Sequence, residues 1–305
     1  MRNHCPKLTF FCLAALAILA VSARPASAAL NAGNFLRFGV GARPLGMGNS
    51  FVAIADDATA VYWNPAGLVS GNIAEFFVSY ANRFGVGIRD VSLGFTLPTE
   101  RRYRLGAAFV RTSVDGITRS SRADADGRPI VEGSFGDSEN AFILAMGYRL
   151  HRMISMGLAT KFLLHQLDTW SANGLGFDLG FMFTPVDAIS LGLNVQNLNN
   201  PRMRWNTLER SYDNISTNVK AGCAVRLFSR RLTVSLDADD SDVGGRVFHG
   251  GAEFHPTSYV GVRGGLSGHD PTIGASLSWR RLRLDYTFQA HELGDTYLIS
   301  IAGTL

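Results

Sequence analysis

The chain has 305 residues, a formal charge of +4, 18% charged residues and 33 glycines. Charge is sparse and glycine plentiful against the roughly 25% charged and ~7% glycine of soluble domains. Three cysteines exclude a disulfide framework, and no Cys/His cluster has zinc spacing.

Residues 1–28 read as a signal peptide rather than as part of the fold. Arg2 and Lys7 make a basic start, Phe10 to Val21 is an unbroken apolar run, and Ala26-Ser27-Ala28 matches a cleavage site. Cys5 and Cys12 are not placed as a lipoprotein cysteine would be, so Ala29 is the expected new N-terminus. Cleavage removes Arg2, Lys7 and Arg24 and takes the charge down by three, to +1. The basic balance is then no evidence for nucleic-acid binding. Lys161 and Lys220 are the only lysines left, and Cys223 the only cysteine. Beyond the signal, no run approaches the ~18 apolar residues of a transmembrane helix.

Residues 29–73 form a segment without two-residue alternation, rich in Gly and Ala. Fourteen candidate strands follow, near 74–81, 88–97, 103–112, 141–150, 153–165, 174–184, 188–197, 215–227, 232–239, 247–255, 258–266, 272–279, 282–290 and 295–305. Most approach the ~9–11 residues of a tilted membrane strand. Alternation puts successive side chains on opposite faces. In the eighth, Ile215, Thr217, Val219, Ala221, Cys223, Val225 and Leu227 oppose Ser216, Asn218, Lys220, Gly222, Ala224 and Arg226. The sixth sets Leu175, Phe177, Leu179, Phe181 and Phe183 against Gly176, Asp178, Gly180 and Met182.

A soluble sandwich with its apolar face inward would alternate too. The connections argue against it. The longest gaps, 113–140 and 198–214, follow odd-numbered strands, whereas His151-Arg152, Pro185-Val186-Asp187 and Arg280-Arg281 are short and follow even ones. Short periplasmic turns and longer outer loops are what an outer-membrane barrel requires. Strands in lipid must also close on themselves, because an unpaired edge is not tolerated there. The expected fold is all-β: a transmembrane antiparallel barrel, 74–305, of about fourteen strands, holding 29–73 as a plug (hatch). Tyr148, Trp279 and Tyr297 near strand ends suit interface girdles. Leu305 ends the chain where such barrels commonly carry an aromatic.

The blocks Phe35-Leu36-Arg37, Gly41-Ala42-Arg43, Gly46-Met47-Gly48, Ala55-Asp56-Asp57-Ala58 and Tyr62-Trp63-Asn64-Pro65-Ala66-Gly67-Leu68 occur in order. This segment resembles the N-terminal region of PorV/PorQ-type outer-membrane proteins, a group similar to the wider FadL-like family of hydrophobic-compound transporters. The resemblance implies a fourteen-stranded barrel with an N-terminal hatch and two functions. One is a passive conduit for a hydrophobic small molecule; the other is docking of exported proteins with secretion-system proteins of the type IX pathway. Outer-membrane lipid and the barrel-insertion machinery are the further expected partners, and no cofactor is expected.

The residues themselves suggest roles in the plug. Gly41, Gly46 and Gly48 suit positive φ and close backbone approach. Asn64-Pro65 fixes a turn. Asp56 and Asp57 suit helix capping, pairing with lumen arginines, or a cation; Arg104, Arg149, Arg226, Arg281 and Arg283, with Asp285, are the expected lumen charges. Phe38, Phe51, Val52 and Ile54 are candidates for an apolar ligand pocket.

Catalysis finds little support. A lipid-modifying barrel enzyme would need a His–Ser pair with an orienting group. His151, His165, His249, His255, His269 and His291 are scattered, and His165 with Ser155 has no supporting spacing. The acidic groups Asp124-Asp126 and Asp237-Asp239-Asp240-Asp242 have calcium-like intervals but lack the glycine and distal glutamate of an EF-hand, so solvated outer loops are expected. Trp170, Met203 and Trp205 fall in predicted outer loops, as a contact surface or as loop self-packing.

Overall fold

The computed structural model of the chain describes residues 33–71, 73–99, 102–207, 211–241 and 245–305. The expected signal peptide and Asp242 lie outside them. Fourteen strands make the wall: β1 Glu75–Arg83, β2 Ile88–Pro98, β3 Tyr103–Arg119, β4 Gly133–His151, β5 Ile154–Leu167, β6 Trp170–Val186, β7 Ile189–Gln196, β8 Asn218–Leu227, β9 Leu232–Ser241, β10 Gly245–Phe254, β11 Val260–Ser267, β12 Asp270–Trp279, β13 Leu282–Gln289 and β14 Thr296–Thr304. Each pairs antiparallel with its neighbours in chain order. β1 returns to β14, from Glu75↔Thr304 to Asn82↔Tyr297, and the sheet closes.

Alternation predicts these strands well inside the wall and fails beyond it. β3 and β4 continue past 112 and before 141, with Val114↔Asp137 in register, a bulge, then Ile117↔Phe135 to Arg119↔Gly133. Most of the expected loop 113–140 is therefore a two-stranded arm. Its distal residues are exposed in both alternation classes, which erases the period-two signal there. The expected loop 198–214 likewise contains a hairpin, Arg202–Trp205 with Tyr212–Asn214, added to the edge of β6.

Burial is inverted relative to a soluble fold. Leu277, Ile273, Leu158, Ile299 and Tyr286 are 45% exposed or more, while Lys161, Asp178, Glu253, Arg263, Asp285 and Thr287 are at most 4% exposed. Soluble domains bury the first set and expose the second. An apolar exterior around a polar lumen is the arrangement a lipid-embedded barrel requires. No helix among the described residues is long and apolar enough to cross a membrane, which says nothing of strands. The two long connections share one rim, here the long-loop rim; β1 starts and β14 ends at the other, the short-turn rim.

Residues 33–71 fill the lumen. They form a 3-10 turn at Asn34–Arg37, helix α1 at Ala42–Gly46, helix α2 at Ala60–Trp63 and a second 3-10 turn at Pro65–Ser70. No helix lasts, because Pro44, the glycines and Asn64-Pro65 interrupt each one. Phe51, Val52, Ala53, Ile54, Tyr62 and Trp63 are at most 1% exposed. The wall admits them through lumen-facing glycines. A methyl group at Gly192 would stand 2.3 Å from the Val52 carbonyl oxygen, one at Gly251 2.3 Å from that of Met47, and one at Gly157 2.3 Å from the Pro65 carbonyl carbon. Strand glycines mark such close backbone approach.

Candidate functional site: the seam between plug and wall

Each block of the plug meets a different sector of the wall. In α1 the Ala42 N–H donates to Ser300 Oγ at 2.8 Å, and Thr287 Oγ1 donates to the Ala42 carbonyl at 2.6 Å. Gly46 accepts from Thr272 at 3.1 Å. Gly48, at φ 63°, accepts from His249 Nδ1 at 3.0 Å, and a methyl there would strike Leu266 at 2.5 Å. Of the three glycines expected at positive φ, Gly41 and Gly48 have it. Gly46 is helical, and its need is space: a methyl would stand 2.7 Å from Arg263 Cδ.

Further along, Ser50 accepts from Ser235 at 2.8 Å, the Val52 N–H donates to Asp237 at 2.8 Å, and Ala53 accepts from Ser190 at 2.6 Å. Tyr62 donates its hydroxyl to the Leu36 carbonyl, and Trp63 its indole N–H to Val40 at 2.9 Å, so these rings tie the plug to itself. Their carbonyls accept from Gln196 and Asn194 of β7. Burial pushes the Tyr62 phenol well above its ordinary range. Asn64 donates to the Val52 and Phe181 carbonyls at 2.9 and 3.1 Å, while its Oδ1 caps the Ala66 N–H at 3.1 Å. Pro65 then opens the last 3-10 turn, where fixed φ and a missing N–H fit. Gly67 is forced by the plug itself, since a methyl would sit 2.0 Å from the Ala55 carbonyl oxygen.

The charges gather beneath α1. Arg43 reaches Asp56 at 2.6 Å, Asp57 at 3.0 Å and Glu253 at 2.8 Å. Arg283 joins Asp57 at 3.1 Å and Asp285 at 2.8 Å, and Arg263 joins Asp285 at 2.9 Å. Asp57 also accepts from the Thr59 N–H and hydroxyl. Burial pushes the Asp57 carboxyl up, but Arg43, Arg283 and Thr59 outweigh it and hold the group well below the usual carboxylate range. Pairing is thus the role the geometry assigns to Asp56 and Asp57. Among the described residues, no three His, Cys, Asp or Glu side chains gather as a metal would need.

The other expected lumen charges divide. Arg104 is 4% exposed and bonds the Leu68 carbonyl at 3.3 Å; Arg149 bonds that of Val69; Arg226 bonds Ser190 Oγ at 3.2 Å. Arg281 is a correction: β13 begins at Leu282, which leaves Arg281 exposed in the turn. Asp237 and Asp239 are a second. They are not solvated loop carboxylates, because Leu236 and Ala238 alternate with them on β9 and turn both inward. Asp239 pairs there with Lys220. Asp240 meets Arg246 at 3.0 Å. Asp124 caps its own turn through the Asp126 and Arg128 N–H groups.

Phe38, Phe51, Val52 and Ile54 do not form an open pocket. The last three are sealed in the plug core, and Phe38 is half-buried against Phe84 under Arg83. A core packed like a crystal leaves no room for a guest until the plug moves. Apolar recesses lie elsewhere, on the outer face: one of about 580 Å³ over β10–β13, beside Phe254, Val262, Ile273 and Tyr286, and one over β6–β9 that backs onto the plug. The second has about 370 Å³ and is lined by Phe181, Phe183, Leu191, Leu193, Ala221 and Cys223 among others. Gly192 and Gly222 floor it, with Val52 directly behind them.

His165 and Ser155 stand ten residues apart on β5, roughly 33 Å at strand rise. Ser155 donates to the Ala66 carbonyl at 2.9 Å, while His165 bonds Asp137 at 2.7 Å beside Trp205. They form no dyad. Met203 is 4% exposed and the Trp205 indole bonds Asp213 at 2.6 Å, so that hairpin packs on itself; Trp170 remains 43% exposed. Sequence reasoning missed Arg43, Glu253, Arg263 and the buried Lys161–Asp178 pair at 2.7 Å. Alternation alone would have turned the three wall residues Lys161, Glu253 and Arg263 inward.

No family model and no curated protein matches the sequence. Solved structures do match in fold. The CymD monoaromatic hydrocarbon channel superposes with a TM-score of 0.65 at 12% identity, covering 88% of this chain and 98% of its own. The P. putida toluene transporter TodX gives 0.65 at 12% identity over 88% and 99%. A Pseudomonas aeruginosa FadL homologue gives 0.55 at 11% identity over 83% and 93%. The chain is a closed fourteen-strand antiparallel barrel with a lumenal plug, and its fold is that of the FadL-like outer-membrane barrels.

Proposed function

We propose that this barrel sits in the outer membrane, short-turn rim toward the periplasm, as a PorV/PorQ-type, FadL-like passive conduit for hydrophobic compounds. It is not an enzyme in this reading, and it needs no cofactor. The observation that carries the proposal is a lumen filled by a buried plug, beside an apolar recess on the lipid face floored by two glycines, Gly192 and Gly222, paired side by side in the sheet. A filled lumen does not suit free diffusion of polar solutes. A recess facing lipid suits a guest that partitions out of water. The solved structures of like fold include barrels described as hydrocarbon channels and toluene transporters, which supports the same class of cargo.

In the test, cells whose outer membrane lacks a hydrocarbon channel express this chain, and toluene entry is timed. Entry should accelerate while a small polar solute stays at background. Equal toluene rates with and without the barrel would end the conduit reading.

A second reading, an outer-membrane component of type IX secretion that docks exported proteins, draws on the β3–β4 arm. That arm extends from the long-loop rim and exposes Ile130 at 45% and Val131 at 69%. Gentle isolation from the native membrane separates the two. Co-purifying secretion subunits or cargo proteins favour docking, and stoichiometric hydrophobic small molecules favour the conduit.

A further inference from the structure

The lumen's charges are paired beneath α1 and mostly positive at the short-turn rim below β4 to β8. Beneath α1, the guanidinium groups of Arg43, Arg263 and Arg283 are interleaved with the carboxylates of Asp56, Asp57, Glu253 and Asp285. Across the short-turn rim, β4 to β8 enclose a cavity of about 410 Å³ under the plug's exit. Four of its lining residues are arginines, Arg149, Arg152, Arg226 and Arg230, against two carboxylates, Asp56 and Asp187. Asp56 is already held by Arg43, and among the described residues Asp187 pairs only with Arg230, at 3.9 Å. Arg149 and Arg226 bond neutral oxygens, the Val69 carbonyl and Ser190 Oγ.

A guanidinium has five donors in a rigid fork, and one neutral acceptor leaves most of them free. Register fixes the placement: Arg149 pairs with Ser155, which turns inward to the Ala66 carbonyl, and Val225 and Leu227 beside Arg226 face outward. Positive groups converging in a concave, partly enclosed site focus a field that draws anions. Carboxylate and phosphate match the fork in pairs of parallel hydrogen bonds. Val69, Met153 and Met182 supply an apolar side, and the volume is in the usual range for a small-molecule site.

We propose that this vestibule binds a small organic oxyanion, a carboxylate or phosphate with a short apolar body, through Arg149 and Arg226, with Arg152 and Arg230 at its edge. The site stands whether or not the barrel carries a hydrophobic compound. The full chain, purified in zwitterionic detergent, is titrated calorimetrically with benzoate and separately with inorganic phosphate. Saturable binding of either probe is expected, and the responding probe assigns the head group. Affinity should fall at least tenfold in Arg149→Gln/Arg226→Gln. Arg281→Gln, in an exposed turn outside the cavity, should bind as the unaltered chain does. Arg226→Lys keeps the charge without the fork and should lose less than Arg226→Gln, which guards against reading misfolding as lost binding. No saturable heat with either probe would overturn the site, as would equal affinity in the double variant or an equal loss in Arg281→Gln.

Discussion

The side-chain amide of Asn64 bonds the Phe181 carbonyl, at 3.1 Å across 117 residues of sequence. One side chain thereby links the plug's last turn to the wall and, through Val52, to the plug's own core. Losing a buried hydrogen-bond partner costs about 1–3 kcal/mol, and Asn64 serves three at once. Replacing Asn64-Pro65 by Ala-Ala should therefore loosen the plug while leaving the wall intact. In a planar bilayer the variant should show a raised leak conductance. Conductance equal to that of the unaltered chain would mean that this turn does not hold the plug.

Two adjacent glycines of β10 separate packing from propensity. A methyl at Gly251 would meet the Met47 carbonyl oxygen at 2.3 Å, whereas one at Gly250 finds nothing nearer than 3.8 Å. Gly251→Ala should displace the plug and expose it to protease in detergent. Gly250→Ala should be cleaved no faster than the unaltered chain. Equal protection of both variants would remove the glycine lining as the reason the plug fits.

Asp57 gives the seam a pH signature. Burial alone would raise its carboxyl; Arg43, Arg283 and Thr59 instead depress it well below the unfolded carboxylate value of about 3.9. A depressed folded value means the stabilisation is present above the unfolded value and fades as pH falls through the folded one. Leak conductance should thus stay low from pH 7 down to pH 4 and rise only under stronger acid. Asp57→Asn should leak already at pH 7, because it leaves Arg43 and Arg283 short of a carboxylate. A wild-type leak that rises between pH 6 and pH 4.5 would show that Asp57 is not the group that holds the plug.

The wall was legible because lipid enforces one rule on every strand. Leu175, Phe177 and Phe181 of β6 must face out, and Asp178 and Gly180 then face in. Past the lipid that rule lapses, and the arm 113–140 passed for a loop. The seam was only half legible. Asn64-Pro65 announces a turn through backbone chemistry, but no local pattern couples Arg43 to Glu253 across 210 residues. The aspartates of β9 misled for a different reason: charge density resembled a loop, although Leu236 and Ala238 already marked a strand. The aromatic and aliphatic run Phe51 to Ile54 invited a ligand pocket, yet a plug that must exclude water needs the same residues for its own core.

The inverted burial makes the last prediction a sharp one. Ile299 of β14 is 45% exposed, and its partners across the sheet are Tyr80 and Tyr286, both also exposed. In a soluble protein, exchanging an exposed Ile for Arg is close to neutral, within about 0.5 kcal/mol. In the middle of a lipid-facing belt the same change costs about 2–4 kcal/mol. Folding titrations in liposomes should show that loss for Ile299→Arg. Ser300→Ala, on the lumen face one residue away, removes a single hydrogen bond to the Ala42 N–H and should cost about 1 kcal/mol. Unheated samples should migrate faster than boiled ones on gel electrophoresis, as closed barrels do when they resist detergent. A neutral Ile299→Arg would place this face in water and undo the membrane assignment.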